Sequence, residues 1–284
     1  MRPDLIGIFS YTSGISIGVT TTEVWPNAPL ALVAVEARFP AGGGLLRPPV
    51  QRAIRDLLGS GWVLEGAKKQ TVELAVGSSG VQAHNVKVED LTRITIRDRT
   101  KAVTVRTDSL TVEATSYSGY RSFRELLRAA FEAVERVIEP DGITRLGMRY
   151  IDEIRVPKLE GSNPWDVWLD SSLLAPRAEE LATRTWTSAV QYDTGEDRWL
   201  VLRYGPAEGP VVDPAGPLKR LSAPGIGPAF ILDFDSFWQP TDIPAFSAAE
   251  LVVICDDLRA PVRALFDQLV SKRLIDEVFK MESG

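Results

Sequence analysis

The sequence predicts an α+β fold in which a β-α-β(3-4)-α unit occurs twice, each copy an antiparallel curved sheet with a long helix laid on it. Three observations lead there. Runs of alternating polarity recur along the chain and end in Gly, Pro, Asn or Asp turns. Two long stretches hold a 3.6-residue apolar period, each opened by a Ser-x-x-Glu capping box, Ser122/Glu125 and Ser247/Glu250. The order strand, short helix, strands, long helix runs once before Gly142 and again after it.

Residues 1–28 mix Ser, Thr, Gly and Pro without period and read as an N-terminal arm. The first unit, 29–142, opens with LALVAVEARF at 30–39. Ala31, Val33, Val35, Ala37 and Phe39 line one face of this strand, while Leu30, Leu32, Ala34, Glu36 and Arg38 line the other. Gly42-Gly43-Gly44 breaks it, and Pro48-Pro49 starts a short helix with Val50, Ile54, Leu57 and Leu58 on one side. Strands are expected at 67–76, 91–98, 102–106 and 110–116. The helix after Ser122 carries Phe123, Leu127, Ala130, Phe131 and Val134, and Glu139-Pro140-Asp141-Gly142 stops it.

The second unit, 143–284, repeats the order. A strand at 143–155 precedes a short helix near Pro164–Leu174, capped by Asn163, with Trp165, Trp168 and Leu169 as its apolar side. Strands at 182–192, 197–204 and 229–237 lead to the last helix, whose stripe includes Leu251, Cys255, Leu258, Val262, Phe266 and Leu269 and which Pro261 should kink. Between the last two strands, 205–228 holds six prolines and five glycines; mobility is the default expectation for so long a loop. The alternative to a duplication is one large irregular α+β domain.

Composition narrows the function classes. With 44% apolar and 25% charged residues the 284-residue chain is an ordinary globule, and a net charge of −6 argues against non-specific binding of polyanions. The lone Cys255 has no partner for a disulfide, and one histidine beside it makes no zinc cluster. No apolar run is long enough to span a membrane and no signal-peptide core opens the chain, so a cytoplasmic protein is expected, without a membrane partner. Residues 1–142 carry 17 basic and 16 acidic groups and 143–284 carry 15 and 22, an asymmetry that suits head-to-tail homo-oligomers.

The segments NAPLALVAVEARFP (27–40), SYSGYRSFRELLRAAFEAV (116–134), ITRLGMRYIDEI (143–154) and AFILDFDSF (229–237), with the C-terminal helix, resemble a sporadically distributed family of uncharacterised bacterial and archaeal proteins. That resemblance implies a mobile accessory gene, in defence or prophage regions, and carries no catalytic residue over. In topology the layout is similar to helix-grip and TATA-binding-protein-like arrangements, an analogy that does not transfer function.

Strand parity assembles the leading candidate site. Arg145, Gly147, Arg149 and Glu153 share one face of their strand, as do Glu36 and Arg38 of the first and Asp233 and Asp235 of the last; Arg203 can join them if the helices cover the other face. Arginine forks on such a surface hold carboxylates or phosphates, so the expected function is non-enzymatic binding of a protein partner or an anionic ligand. The structural alternative is a solvated face crossed by ion pairs. A second reading makes Asp233 and Asp235, two same-face carboxylates, ligands of a metal-dependent hydrolase or nuclease. A third binds nucleic acid through Arg93, Arg97 and Arg106 in the basic stretch 87–106. No catalytic set and no cofactor follow from the residues. Asp193-Thr194-Gly195 reads as a hairpin turn rather than half an aspartic-protease dyad, and His84 as a surface residue of a polar loop. Gly42-Gly43-Gly44 lacks the Lys and Ser/Thr of a phosphate loop, and Cys255 belongs to an apolar stripe.

Overall fold

Nine strands follow one another in the computed structural model as β1 (Leu30–Arg38), β2 (Trp62–Gly77), β3 (Gly80–Ile96), β4 (Lys101–Val105), β5 (Ser109–Ala114), β6 (Arg145–Ile154), β7 (Ser188–Gly195), β8 (Arg198–Glu208) and β9 (Pro228–Trp238). Four helices join them among the described residues: α1 (Pro48–Leu58), α2 (Tyr120–Ile138), α3 (Ala248–Leu269) and the short α4 (Lys272–Leu274), which runs into a π turn at Ile275–Phe279. The structure describes residues 25–41, 47–77, 80–161, 164–175, 185–222 and 224–281, with backbone alone over 66–92.

All nine strands form one antiparallel open sheet, ordered β2-β3-β4-β5-β1-β6-β9-β8-β7. In each half the first strand pairs with the last, β1 with β5 and β6 with β9, and β1 meets β6 in the middle. The fold is therefore α+β, with a single sheet continuous across both halves.

Alternation in β1 makes the core. Ala31, Val33, Val35 and Ala37 are fully buried under the helices, while Leu32, Ala34 and Glu36 remain partly accessible. Helix α2 lays Phe123, Leu127, Ala130, Phe131 and Val134 on this surface, and α3 contributes Leu251, Cys255, Leu258, Val262, Phe266 and Leu269. Side chains such as Phe131 and Phe234, fully buried, each contribute ~2 kcal/mol of apolar transfer free energy. The two long helices are joined by Arg124, whose guanidinium donates to both oxygens of Asp256 at 2.8–3.0 Å, and by the Tyr120 hydroxyl donating to the same carboxylate at 2.7 Å.

Several expectations need correction. The Ser122/Glu125 box does not cap α2: Gly119, at φ 119°, turns the chain into the helix at Tyr120, and no side chain caps it. The Ser247/Glu250 box does form on its Ser247 side, where the hydroxyl accepts from the Glu250 N–H at 3.4 Å. Helix α3 runs from Ala248 to Leu269 with Pro261 inside it. The expected helix near 164–174 is a turn plus a 3-10 turn at Ser171–Leu173, capped by Asp170; Trp165, Trp168 and Leu169 are nevertheless buried. Asn163 and Gly42-Gly43-Gly44 lie outside the described residues. His84 is not in a loop, since β3 begins at Gly80 and pairs with β2 over the whole hairpin.

Leu30 also departs from simple parity. The β1–β6 register shifts between Leu30 and Leu32, which oppose Asp152 and Ile151. A bulge of one residue turns the chain over, so Leu30 lines a cavity on the helix side while Leu32 lines a hollow on the open side.

Candidate functional site

The face of the sheet opposite α2 and α3 collects the candidate residues. Antiparallel partners share a face, and the registers Glu36↔Gly147, Arg38↔Arg145, Arg149↔Asp235 and Arg203↔Asp233 place them side by side across β1, β6, β9 and β8. Thr111 and Glu113 of β5 extend the band, through Thr111↔Glu36 and Glu113↔Ala34.

Arginine forks and carboxylates alternate along it. Arg149 donates from Nε and Nη2 to the two oxygens of Asp233, at 2.7 and 2.6 Å. This fork raises the Arg149 pKa further, against the opposing effect of its own burial. Arg145 donates to Asp235 at 3.3 Å and lies 3.8 Å from Glu36, which also takes Arg38 at 2.5 Å and Arg106 at 3.5 Å. Arg93 meets Glu113 at 2.7 Å. Arg203 is exposed and makes no ion pair among the described residues. Gly147 serves Arg145: a Cβ there would collide with that guanidinium, which is held flat over the strand with its carbon 4.6 Å from the centre of the Phe237 ring. The space a side chain would take at position 147 is thus filled by the protein's own arginine. Leu32, Ala34, Glu36, Arg38, Arg145 and Arg149 border a hollow of about 320 Å³ in this band.

Glu153 sits at one end of the band with a fully buried side chain. Its carboxylate accepts from Arg155 at 2.7 Å, from Arg220 at 3.0 Å and from the Val211 N–H at 2.9 Å. Arg220 and Val211 belong to the Pro/Gly-rich loop between β8 and β9. The same loop donates its Lys219 N–H to the Arg99 carbonyl at 2.9 Å, and its Lys219 carbonyl accepts from the Thr115 hydroxyl. The described part of the loop is therefore a strap bonded across the sheet end. Burial lowers the pKa of Arg220, and Glu153 works against that shift.

The other candidates fall into place around this band. Asp233 and Asp235 do share a face, but both are engaged by arginines, and no group of three or more His, Cys, Asp or Glu able to hold a metal exists among the described residues. Of the basic stretch, Arg93 and Arg106 point into the band and bond carboxylates, and Arg97 is exposed in the turn after β3. Asp193 accepts from the Gly195 N–H at 3.1 Å in the β7–β8 hairpin, as the turn reading expects. Cys255 is buried, and burial pushes its thiol well above the usual range. No described helix is long and apolar enough to cross a membrane.

Sequence reasoning missed Glu113, Arg155 and Arg220, which lie in segments read only as strand or loop. Parity within 110–116 would have put Glu113 on one face with Thr111. It also missed Asp152, the one carboxylate among the inward positions Leu146, Met148, Tyr150 and Ile154, and that polarity break was the available signal. No protein-family model matches the chain, and no curated protein matches it.

Proposed function

We propose that the protein is a non-enzymatic binding protein that presents the charged sheet face to a protein partner or an anionic ligand. The observation that carries this reading is the band itself. Arg38, Arg93, Arg106, Arg145, Arg149 and Arg203 stand against Glu36, Glu113, Glu153, Asp233 and Asp235 on the face opposite α2 and α3, so the band carries one more positive than negative group within a chain of net charge −6. Arginine forks pre-positioned by neighbouring carboxylates lose little conformational freedom when they exchange one carboxylate for another on a partner. Engagement of Asp233 and Asp235 by Arg149 and Arg145 weakens the metal-dependent alternative. Nucleic-acid binding through Arg93, Arg97 and Arg106 loses two of its three contacts to internal pairing.

The mirrored pairing of β1 with β5 and β6 with β9 supports the further proposal that 29–142 and 143–284 are repeats with a TATA-binding-protein-like topology. The sequence resemblance supports an accessory role, in phage defence, for a member of the sporadically distributed family.

The test is retention on immobilised protein. Wild-type chain should retain a specific partner from extracts of the native host, identified by mass spectrometry, and Arg149→Ala should lose it with little change in Tm. Equal retention together with a large fall in Tm would make Arg149 a structural residue and refute the proposal.

A further inference from the structure

A second feature lies past the end of the charged band. Where the strap crosses the sheet end, Asn27, Pro29, Glu153, Arg155, Arg220 and Ser222 border a polar recess of about 140 Å³. Arg155 reaches it from just past β6 and Arg220 from the strap. Two guanidinium groups thus meet one carboxylate, and no other charged residue lines the recess among the described residues. The charges of the adjoining π turn are matched elsewhere, Asp276 by Lys280 and Glu277 by Arg273, each at 3.0 Å.

The acceptors around this recess are already taken. Glu153 accepts from Arg155, Arg220 and the Val211 N–H. The Val278 and Phe279 carbonyls accept from Nδ2 and the backbone N–H of Asn27, at 3.2 and 3.0 Å. The Gly227 and Gly209 carbonyls accept from Nη1 and Nη2 of Arg155, at 3.1 and 3.0 Å. Donors are left over. Arg220 spends one of its five N–H groups, on Glu153, and makes no other hydrogen bond among the described residues, although its side chain is only 14% exposed. Its remaining nitrogens are not sealed as the Nε atoms of Arg93 and Arg106 are, so a ligand can reach them. Arg155 keeps one N–H on each terminal nitrogen, and the Ser222 hydroxyl on the rim is exposed. Burial works against the Arg220 cation, as does the charge of Arg155, and Glu153 opposes both.

A guanidinium drawn mostly out of water normally has its N–H groups matched, and an anion supplies the missing acceptors together with the missing negative charge. The free donors outnumber the two oxygens of a carboxylate and suit a tetrahedral oxyanion, which can take a fork from each arginine. We propose that this recess binds a small oxyanion of the phosphate type, held between the Arg155 and Arg220 guanidinium groups and the Ser222 hydroxyl. The bound anion ties the strap to the end of β6. The site goes beyond the reading of the charged band, and neither proposal depends on the other.

Inorganic phosphate is the probe. Calorimetric titration of the full chain at about pH 7 in about 0.15 M sodium chloride, where long-range attraction is screened, should show saturable binding, with acetate at least tenfold weaker. Arg220→Gln should weaken phosphate at least tenfold. Ser222→Glu keeps both arginines and sets a carboxylate at an exposed rim position, so it should weaken phosphate by a similar factor at an unchanged Tm. Circular dichroism of both variants verifies their fold. Absence of phosphate binding at millimolar concentration, equal affinity in folded Arg220→Gln or Ser222→Glu, or equal binding of acetate would overturn the proposal.

Discussion

Replacing Asp152 by asparagine tests the electrostatics of the β6 cavity through stability alone. Burial, opposed only by the charge of Arg263, raises the carboxyl from an ordinary 3.8 to about 7. In the unfolded chain the group loses its proton near pH 4, whereas in the folded protein it keeps it to about pH 7. Between those values the native state binds the extra proton, so stability falls as pH rises, by about 1.4 kcal/mol per unit. Three units accumulate to about 4 kcal/mol of destabilisation, fully present above pH 7 and absent below pH 4. Asparagine has nearly the same shape and never ionises. Urea unfolding of wild type and Asp152→Asn at pH 5, 6, 7 and 8 should therefore show the variant more stable, by a margin that widens with pH and levels off above 7. A margin independent of pH, or a variant less stable than wild type at pH 8, would mean that the carboxylate has donors in the folded protein, and the reasoning would fail.

Glu153→Gln should release the strap, since its fully buried carboxylate is shared by Arg155, Arg220 and the Val211 N–H. Breaking such a buried cluster costs about 3 kcal/mol, and trypsin should then cut after Lys219 and Arg220 much faster than in wild type. Ser247→Ala should lower stability by about 1 kcal/mol, measured by urea unfolding at pH 7, because it removes the hydroxyl that accepts from the Glu250 N–H at the start of α3.

Much of the framework was legible because it depends on periods of two and of 3.6 residues. Alternation located β1, β6 and β9 and assigned Glu36, Arg38, Arg145, Arg149, Asp233 and Asp235 to one face, where the ladder registers bring them together. Three kinds of information were not local. The Leu30–Leu32 bulge reverses parity for one residue, and no composition signal marks it. Helix α2 begins at Tyr120 because Gly119 adopts a positive φ, a backbone state that overrides the better side-chain cap downstream. The strap at 209–227 looked unanchored because its anchor, Glu153, lies about 60 residues away in sequence and was assigned to the open face without a partner.

Strand β6 is the wall shared by the charged band and the apolar cavity under the helices, and its pleat keeps the two apart. Arg149 and Glu153 project to the charged side, Tyr150 and Asp152 to the helix side, so successive residues serve different surfaces one sheet thickness apart. Beyond its ladder with β9, the end of the strand is also held by the Glu153 N–H donating to the Pro29 carbonyl at 2.8 Å, and Pro29 belongs to the cavity lining. Pro29 and Glu153 thus join the cavity wall to the stretch of backbone that anchors the strap. Loosening the strap by Glu153→Gln should disturb the cavity from behind, whereas Arg149→Ala, four residues up the strand and bonded to β9 rather than to Pro29, should leave it intact. The difference follows from hydrogen bonds that run along the end of β6 and not through its centre.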